Sequence, residues 1–305
     1  MIGRMLISAR GKMMDILWLS LVAGLGAVQK LLQKKYSNNT CSFRSAGAIY
    51  TWIMAIASTG YFAAMAKFSL MPNGATVILA TVYAFVVIAS LIYTNFVFQK
   101  MSIAKVTLFS SGGALTVPYV FDVIFLDGDI TVKKTVAVVL LMTVFVLPLL
   151  DRDERDKGSR SEIFFGSVTF ALAGMSTVVS KLFTVYSDGV KSETFCFWTN
   201  LIMIPLLAAK LLFGNEKKSF LSDVKAIGLK YGWISAVVGF ISAVGTPITF
   251  RMIDKMNVTV YTIASNSLNL IFATVVSAAI FRERTDKRTV IGLLAAIGAI
   301  VLNSV

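Results

Sequence analysis

Two amide side chains lie one helical turn apart in a stretch of the sequence that is otherwise apolar. Asn266 and Asn269 share a helix face, Thr262 and Ser265 extend that face, and Tyr261 lies beside it. Such a face could hydrogen-bond a polar solute. It could equally bond neighbouring helices together, which is worth roughly 0.6 kcal/mol per contact.

A second group of hydroxyl side chains occurs about 155 positions earlier. Thr107, Ser110 and Ser111 occupy the positions that match 262, 265 and 266 at that shift. If the two segments face each other, they would line one polar cavity from opposite halves of the chain. Tyr83, near the middle of an apolar stretch, is the aromatic residue best placed to join this substrate-binding site.

Three ionisable residues lie within or close to apolar stretches. Charges in hydrocarbon are costly and usually face a bundle interior or a wet cavity. Lys30 and Lys181 could pair with a substrate carboxylate, and Asp122 could be a proton or cation site. The alternative is that each of them lies at the membrane interface, where a lysine side chain reaches the headgroups.

The residue types exclude several kinds of chemistry. There is no histidine, so histidine-based catalysis and the commonest metal ligand are missing. Asp122 has no obvious carboxylate partner for acid–base work, and no phosphate-binding glycine loop is present. Cys41 and Cys196 form no disulfide framework. We therefore expect no enzyme activity, no catalytic residue, no metal and no cofactor.

The composition is that of a membrane protein. Hydrophobic residues make up 56% and charged residues 15% of the 305 residues, whereas soluble domains carry roughly 25% charged residues. The mean hydropathy is +0.77. The formal net charge is +13, but the basic residues flank apolar runs. They therefore indicate contact with lipid headgroups rather than with nucleic acid.

Uncharged stretches of sufficient length predict ten transmembrane helices. Lipid cannot satisfy open backbone groups, so each span must be a helix. The spans are predicted near 14–34, 45–66, 74–98, 105–126, 133–150, 162–186, 194–213, 228–252, 257–281 and 288–304. The predicted organisation is an N-terminal extension (1–12), a first five-helix repeat (13–150), a charged linker (151–161) and a second five-helix repeat (162–305).

The two halves of the sequence resemble each other. Lys100-Met101-Ser102-Ile103 parallels Lys255-Met256-Asn257-Val258, and Tyr36-Ser37 parallels Tyr186-Ser187. An odd number of spans per copy reverses the second copy in the membrane, which places a shared site near the midplane. The expected fold class is an all-α integral membrane protein of two inverted five-helix repeats (5+5).

Two local features resemble the EamA-like ten-helix branch of the drug/metabolite transporter (DMT) superfamily. Residues 100–104 and 255–259 resemble the short loop before the fourth helix of each repeat. Residues 281–285, followed by Gly292 and Gly298, resemble the family's acidic turn and glycine-bearing last helix. The resemblance implies a secondary transporter or exporter of a small polar or amphipathic metabolite, such as an amino acid or amine.

Other functions stay open at this point. A flippase for lipids or lipid-linked sugars would need a lateral opening between helices, and a non-transporting membrane scaffold would not need the polar face at 261–269. The expected partners are a small-molecule substrate and membrane lipids, in a bacterial plasma (inner) membrane. The protein would be a monomer or a homodimer.

The orientation in the membrane also stays open. About nineteen lysines and arginines lie on the side opposite the predicted chain termini, and nine or ten lie on the side of the termini. The positive-inside rule then favours termini outside the cell. The family resemblance implies termini in the cytoplasm.

Overall fold

A computed structural model describes residues 2–65, 71–125, 135–136, 139, 157–187, 189–213, 217–255, 258–281 and 294. In this part of the chain the backbone forms eight α-helices and no strand. The helices are α1 (Ile2–Asn39), α2 (Ala46–Met65), α3 (Gly74–Phe98), α4 (Ile103–Phe125), α5 (Lys157–Tyr186), α6 (Ser192–Phe213), α7 (Lys217–Lys255) and α8 (Val258–Phe281).

Eight of the ten predicted helices correspond to these elements. The predicted helices at 133–150 and 288–304 lie almost entirely outside the described residues, so the count of ten stays a prediction. Three helices begin five or more residues earlier than predicted: α1 at Ile2, α5 at Lys157 and α7 at Lys217. Hydropathy detects only the part of a helix that crosses lipid, whereas lysine and serine can continue a helix beyond it.

Among the described residues, six helices are long and apolar enough to cross a membrane. These spans are Ala46–Met65, Gly74–Phe98, Ile103–Phe125, Ser161–Tyr186, Ser192–Phe213 and Ser222–Met252. Large apolar side chains such as Ile78, Phe85 and Phe164 are exposed on the outside of the bundle. Such a surface is stable against lipid rather than water, so the chain is an integral membrane protein.

Contacts between distant residues define one end of the bundle, which we call the Cys41 end after the connection between α1 and α2. The Lys34 ammonium donates to the carbonyl oxygen of Met101 over 3.4 Å, so the ends of α1 and α3 meet there. The hydroxyl of Ser45 donates to the buried carboxylate of Asp223. This bond places the start of α7 at the same end.

The opposite end contains the connection between α5 and α6, and we call it the Gly189 end. Gly189 has a φ of 79°, a value that suits glycine in this turn. The Asn73 amide donates to the carbonyl oxygen of Ser187 over 3.2 Å, which joins the start of α3 to the end of α5. Arg251 lies 3.8 Å from Glu193 and joins α7 to α6.

These contacts show that α1–α4 and α5–α8 run in opposite directions, pair by pair. The third helix α3 starts at the Gly189 end, but its counterpart α7 starts at the Cys41 end. The first helix α1 ends at the Cys41 end, where α5 begins, because Glu162 pairs there with Lys105 of α4 over 2.6 Å. We call α1–α4 the first half and α5–α8 the second half.

Equivalent helices of the two halves also pack on equivalent partners in the opposite half. Helix α1 packs on α7 and α8, and α5 packs on α3 and α4. Helix α2 packs on α7, and α6 packs on α3. Two contacts, α2 with α6 and α4 with α8, join equivalent helices. The described helices therefore obey an approximate two-fold relation between the halves.

Glycines allow the closest approach between the halves, at α4 and α5. A Cβ atom on Gly113 would collide with the backbone carbonyl group of Phe170. A Cβ atom on Gly174 would lie 2.5 Å from the Cβ of Val117. Small residues at a helix crossing permit dense packing where lipid supplies little hydrophobic drive for association.

Candidate functional site

A cavity of about 350 Å³ lies inside the bundle, and we call it the central cavity. Its walls come from α1, α3, α4, α5, α7 and α8, so both halves contribute. Hydroxyl and amide side chains are frequent in these walls, in contrast to the apolar outer surface of the bundle. A polar interior in an apolar membrane bundle suits a solute that must leave water while crossing lipid.

Half of the residues predicted from the sequence line this cavity. The predicted face of α8 is the largest contribution, with Tyr83 and Lys181 from other helices. The lining residues from the prediction are Tyr83, Lys181, Tyr261, Ser265, Asn266 and Asn269. The hydroxyl of Tyr261 donates to the Thr249 hydroxyl over 3.1 Å and thereby ties α8 to α7.

The hydroxyls predicted on α4 lie elsewhere. Thr107, Ser110 and Ser111 are absent from the described cavity wall, and the Ser110 hydroxyl donates to the Thr107 carbonyl oxygen within its own helix. The cavity residue of α4 is Ala114, which is equivalent to Asn269 at the 155-residue shift. The backbone of the two halves is related, but the polar lining is asymmetric. The predicted Thr262 side chain lies outside the described residues.

The predicted charge partners form contacts between the halves. Lys181 of α5 pairs with Asp122 of α4, and their side chains are only 14% and 25% exposed. Lys30 of α1 donates to the Asn269 amide oxygen of α8 over 3.5 Å. Both lysines lie on the first helix of one half, and both partners lie on the fourth helix of the other half. The pairing stabilises each charge in the low-dielectric interior.

Apart from Lys181, the lining residues on α5 and α7 were absent from the sequence-based prediction. On α7 they include Ser242, Thr246 and Thr249, whose spacing of four and three residues places them on one helix face. That spacing is a signal that sequence analysis could have used. It is a weak signal, because Thr246 donates to the Ser242 carbonyl oxygen over 2.7 Å, a bond that a hydroxyl can form in any helix.

The two ends of the bundle differ in their access to the cavity. At the Cys41 end, a buried apolar cluster that includes Phe98, Met101, Ile103 and Phe109 fills the space. At the Gly189 end, a second hollow of about 480 Å³ shares Thr184 and Phe250 with the central cavity. We call this second hollow the vestibule. The vestibule therefore borders the central cavity at the Gly189 end, whereas the apolar cluster lies at the Cys41 end.

The described cavity wall offers hydrogen-bonding side chains and one ammonium group. Lys181 is the one ionisable side chain with a charge at neutral pH among the described lining residues, and Asp122 neutralises it. The described residues contain no group of three or more histidine, cysteine or acidic side chains that could hold a metal. The hydrogen-bonding groups of the described wall are hydroxyl, amide and ammonium groups.

An apolar helical bundle with a polar cavity between antiparallel halves is the architecture of a membrane transporter. Residues 160–305 match the model of the EamA-like transporter family, which is part of the DMT superfamily. The resemblance seen in the sequence is confirmed over this range, and it indicates a membrane transporter of the DMT type. Members of this family are transporters and not enzymes. No curated protein matches the chain.

Proposed function

We propose that this protein is a secondary transporter that moves a small polar solute through the central cavity by alternating access. The observation that carries the proposal is a cavity of about 350 Å³ inside an apolar membrane bundle, lined by side chains with hydroxyl, amide and ammonium groups. The vestibule borders the central cavity at the Gly189 end, and a buried apolar cluster lies at the Cys41 end. The solute would enter through the vestibule while the apolar cluster closes the other end, as alternating access requires.

The antiparallel halves support the alternation between those states. Equivalent helices of the two halves pack on equivalent partners. The two halves can therefore exchange conformations, which would give a second state of the transporter. In that second state the cavity would open at the Cys41 end. We extend the described relation to the full fold and propose two inverted five-helix repeats, each completed by a helix outside the described residues.

The balance of charge in the cavity wall indicates which solutes fit. Lys181 is paired with Asp122, so the described lining residues carry no unpaired charge. A solute with net charge would leave one charge uncompensated in the membrane interior, which is costly. We therefore propose a zwitterionic or neutral solute whose carboxylate or other polar group approaches Lys181, Asn266 and Asn269. Transport would be driven by exchange or ion coupling, in a bacterial plasma (inner) membrane.

A ligand screen followed by flux measurement tests this proposal. Purified protein is screened by thermal shift against amino acids, nucleosides, choline-like amines and sugars, because a ligand of the folded state raises the melting temperature. Uptake of each hit into proteoliposomes is then measured. We expect one class to be bound and transported. No thermal shift and no uptake across the whole panel would contradict the proposal.

Variants at the α8 face complete the test. Asn269→Leu and Asn266→Ala should abolish uptake of the hit while the protein still expresses and unfolds near the wild-type temperature. Val82→Ala is a suitable control, because Val82 is exposed on the outside of α3. Normal uptake by both asparagine variants would show that the solute binds elsewhere.

A further inference from the structure

A second, smaller space lies beside the central cavity, between α2, α3, α6 and α7. It has a volume of about 90 Å³, and we call it the side pocket. Tyr83, Ser242 and Thr246 border both the side pocket and the central cavity. The two spaces are therefore neighbours, separated by the side chains of these three residues.

The walls of the side pocket combine apolar and polar side chains. Met54, Phe62, Val87 and Met203 all contribute, and the two methionines can adapt to an occupant because their side chains are unbranched. A cavity of about 150 Å³ holds a benzene ring of six carbon atoms. By the same ratio, 90 Å³ holds a group of about three to four heavy atoms.

One polar group in this pocket has no protein partner. Thr199 is 3% exposed, and its hydroxyl makes no hydrogen bond within the described part of the chain. The neighbouring Asn200 amide nitrogen donates one hydrogen bond, to the Cys196 carbonyl oxygen over 2.8 Å. A buried hydroxyl without a partner is unfavourable. A ligand atom that bonds to Thr199 would remove this penalty.

We propose that the side pocket is a specificity subsite for the tail of the transported solute. The tail would contain about three to four heavy atoms and end in one hydrogen-bonding atom that meets the Thr199 hydroxyl. The polar head would stay in the central cavity near Lys181. This inference rests on the proposed transport function. It adds that the transporter selects solutes by the length and the polarity of their tail.

Tyr83 must turn aside for the tail to enter. Its ring lies against the ring of Phe195, with 5.3 Å between the ring centroids, and it forms part of the border between the two spaces. In this structure Tyr83 borders both the central cavity, which would hold the head of the solute, and the side pocket, which would hold its tail. When a solute binds, the tyrosine ring would pack along the tail and close the subsite behind it.

A matched pair of solutes tests the role of Thr199. Homoserine and norvaline are zwitterions with side chains of three heavy atoms, and they differ in having a terminal hydroxyl or a terminal methyl group. Competition against uptake of a transported solute in proteoliposomes gives their relative affinities. One net hydrogen bond corresponds to about a three- to ten-fold preference for homoserine. Thr199→Val keeps the side-chain shape and should reduce this preference to about one while norvaline binds as before.

A second pair of variants tests the size of the pocket. Val87→Ala enlarges the side pocket, and we expect the best straight-chain amino acid in the same competition assay to become one to two carbon atoms longer. Val86→Ala is the matched control, because Val86 is a buried neighbour on the same helix that does not line the pocket. The control should leave the length preference unchanged.

The outcomes separate this inference from the transport function. If uptake is measurable but homoserine and norvaline compete equally, or if Thr199→Val leaves their ratio unchanged, the subsite is wrong and the transporter stands. If Val87→Ala and Val86→Ala give the same length preference, the tail lies elsewhere. If no solute in the broad panel binds or is transported, the transport proposal fails and the subsite fails with it.

Discussion

The Lys181 ammonium of α5 pairs with the Asp122 carboxylate of α4, across the contact between the two halves of the bundle. Lys181 also lines the central cavity. The ion pair therefore has two consequences: it holds α4 and α5 together, and it cancels the charge that a solute would meet. A solute carboxylate that approaches Lys181 competes with Asp122, so binding and the contact between the halves are linked.

Removing one member of this ion pair should change the charge preference of the transporter. Asp122→Asn leaves Lys181 without its counter-ion and should favour solutes that carry only a carboxylate. Lys181→Met leaves Asp122 and should favour solutes that carry only an amine. Loss of one charged partner in a partly buried pair should reduce uptake of the zwitterionic solute about tenfold. The prediction is tested by comparing the uptake of matched carboxylates, amines and zwitterions into proteoliposomes that contain each variant.

The double variant Asp122→Asn/Lys181→Met is the control for this experiment. Because no uncompensated charge remains, its melting temperature should be closer to that of the wild type than that of either single variant. The same charge preference in both single variants would show that the pair does not face the solute.

Gly26→Ala should disturb the position of Asn269. A Cβ atom on Gly26 would lie 3.2 Å from the Asn269 side-chain nitrogen, so the amide must move by a few tenths of an ångström. We expect uptake to fall several-fold while the melting temperature stays the same or rises, because alanine is favoured over glycine in a helix by about 1 kcal/mol.

Gly24→Ala is the matched control, since a Cβ atom on Gly24 would meet nothing within 4 Å. Both variants add one methyl group to the same helix. Equal uptake by the two variants would mean that the exact position of Asn269 does not matter for transport.

The asymmetry of the cavity predicts different effects at equivalent serines. Ser265 lines the central cavity, whereas Ser110, its equivalent in the first half, bonds to its own helix. Ser265→Ala should weaken solute binding about three- to ten-fold, the equivalent of one hydrogen bond. Ser110→Ala should leave binding unchanged. Dissociation constants from thermal-shift titrations test this, and a loss of affinity in both variants would indicate a symmetric site.

Gly113→Ala should destabilise the contact between α4 and α5. The added Cβ atom collides with backbone, which cannot rotate away as a side chain can. Overpacking typically costs about 1–3 kcal/mol, and we expect the melting temperature in detergent to fall by about 5 °C or more.

Gly60→Ala serves as the control for Gly113→Ala, because a Cβ atom on Gly60 meets nothing within 4 Å. An unchanged melting temperature for Gly113→Ala would mean that α4 and α5 can separate at little cost.

The sequence by itself determined the class of protein and the apolar segments of the eight described helices. Hydrocarbon forbids open backbone groups, so a long apolar run has one conformation available to it. The polar face of α8 could also be predicted, because helical periodicity alone places Asn266 and Asn269 together.

Only the tertiary structure decided which polar residues meet. The repeat suggested that Thr107 and Ser110 would line the cavity, but Ala114 lines it from α4. The partner of Lys181 is Asp122, 59 positions away in the sequence, and no local pattern links them. The rotation of a helix about its own axis depends on how it packs against its neighbours, and a hydroxyl can always bond to its own helix instead. A sequence therefore shows which helix face is polar, whereas packing decides what that face contacts.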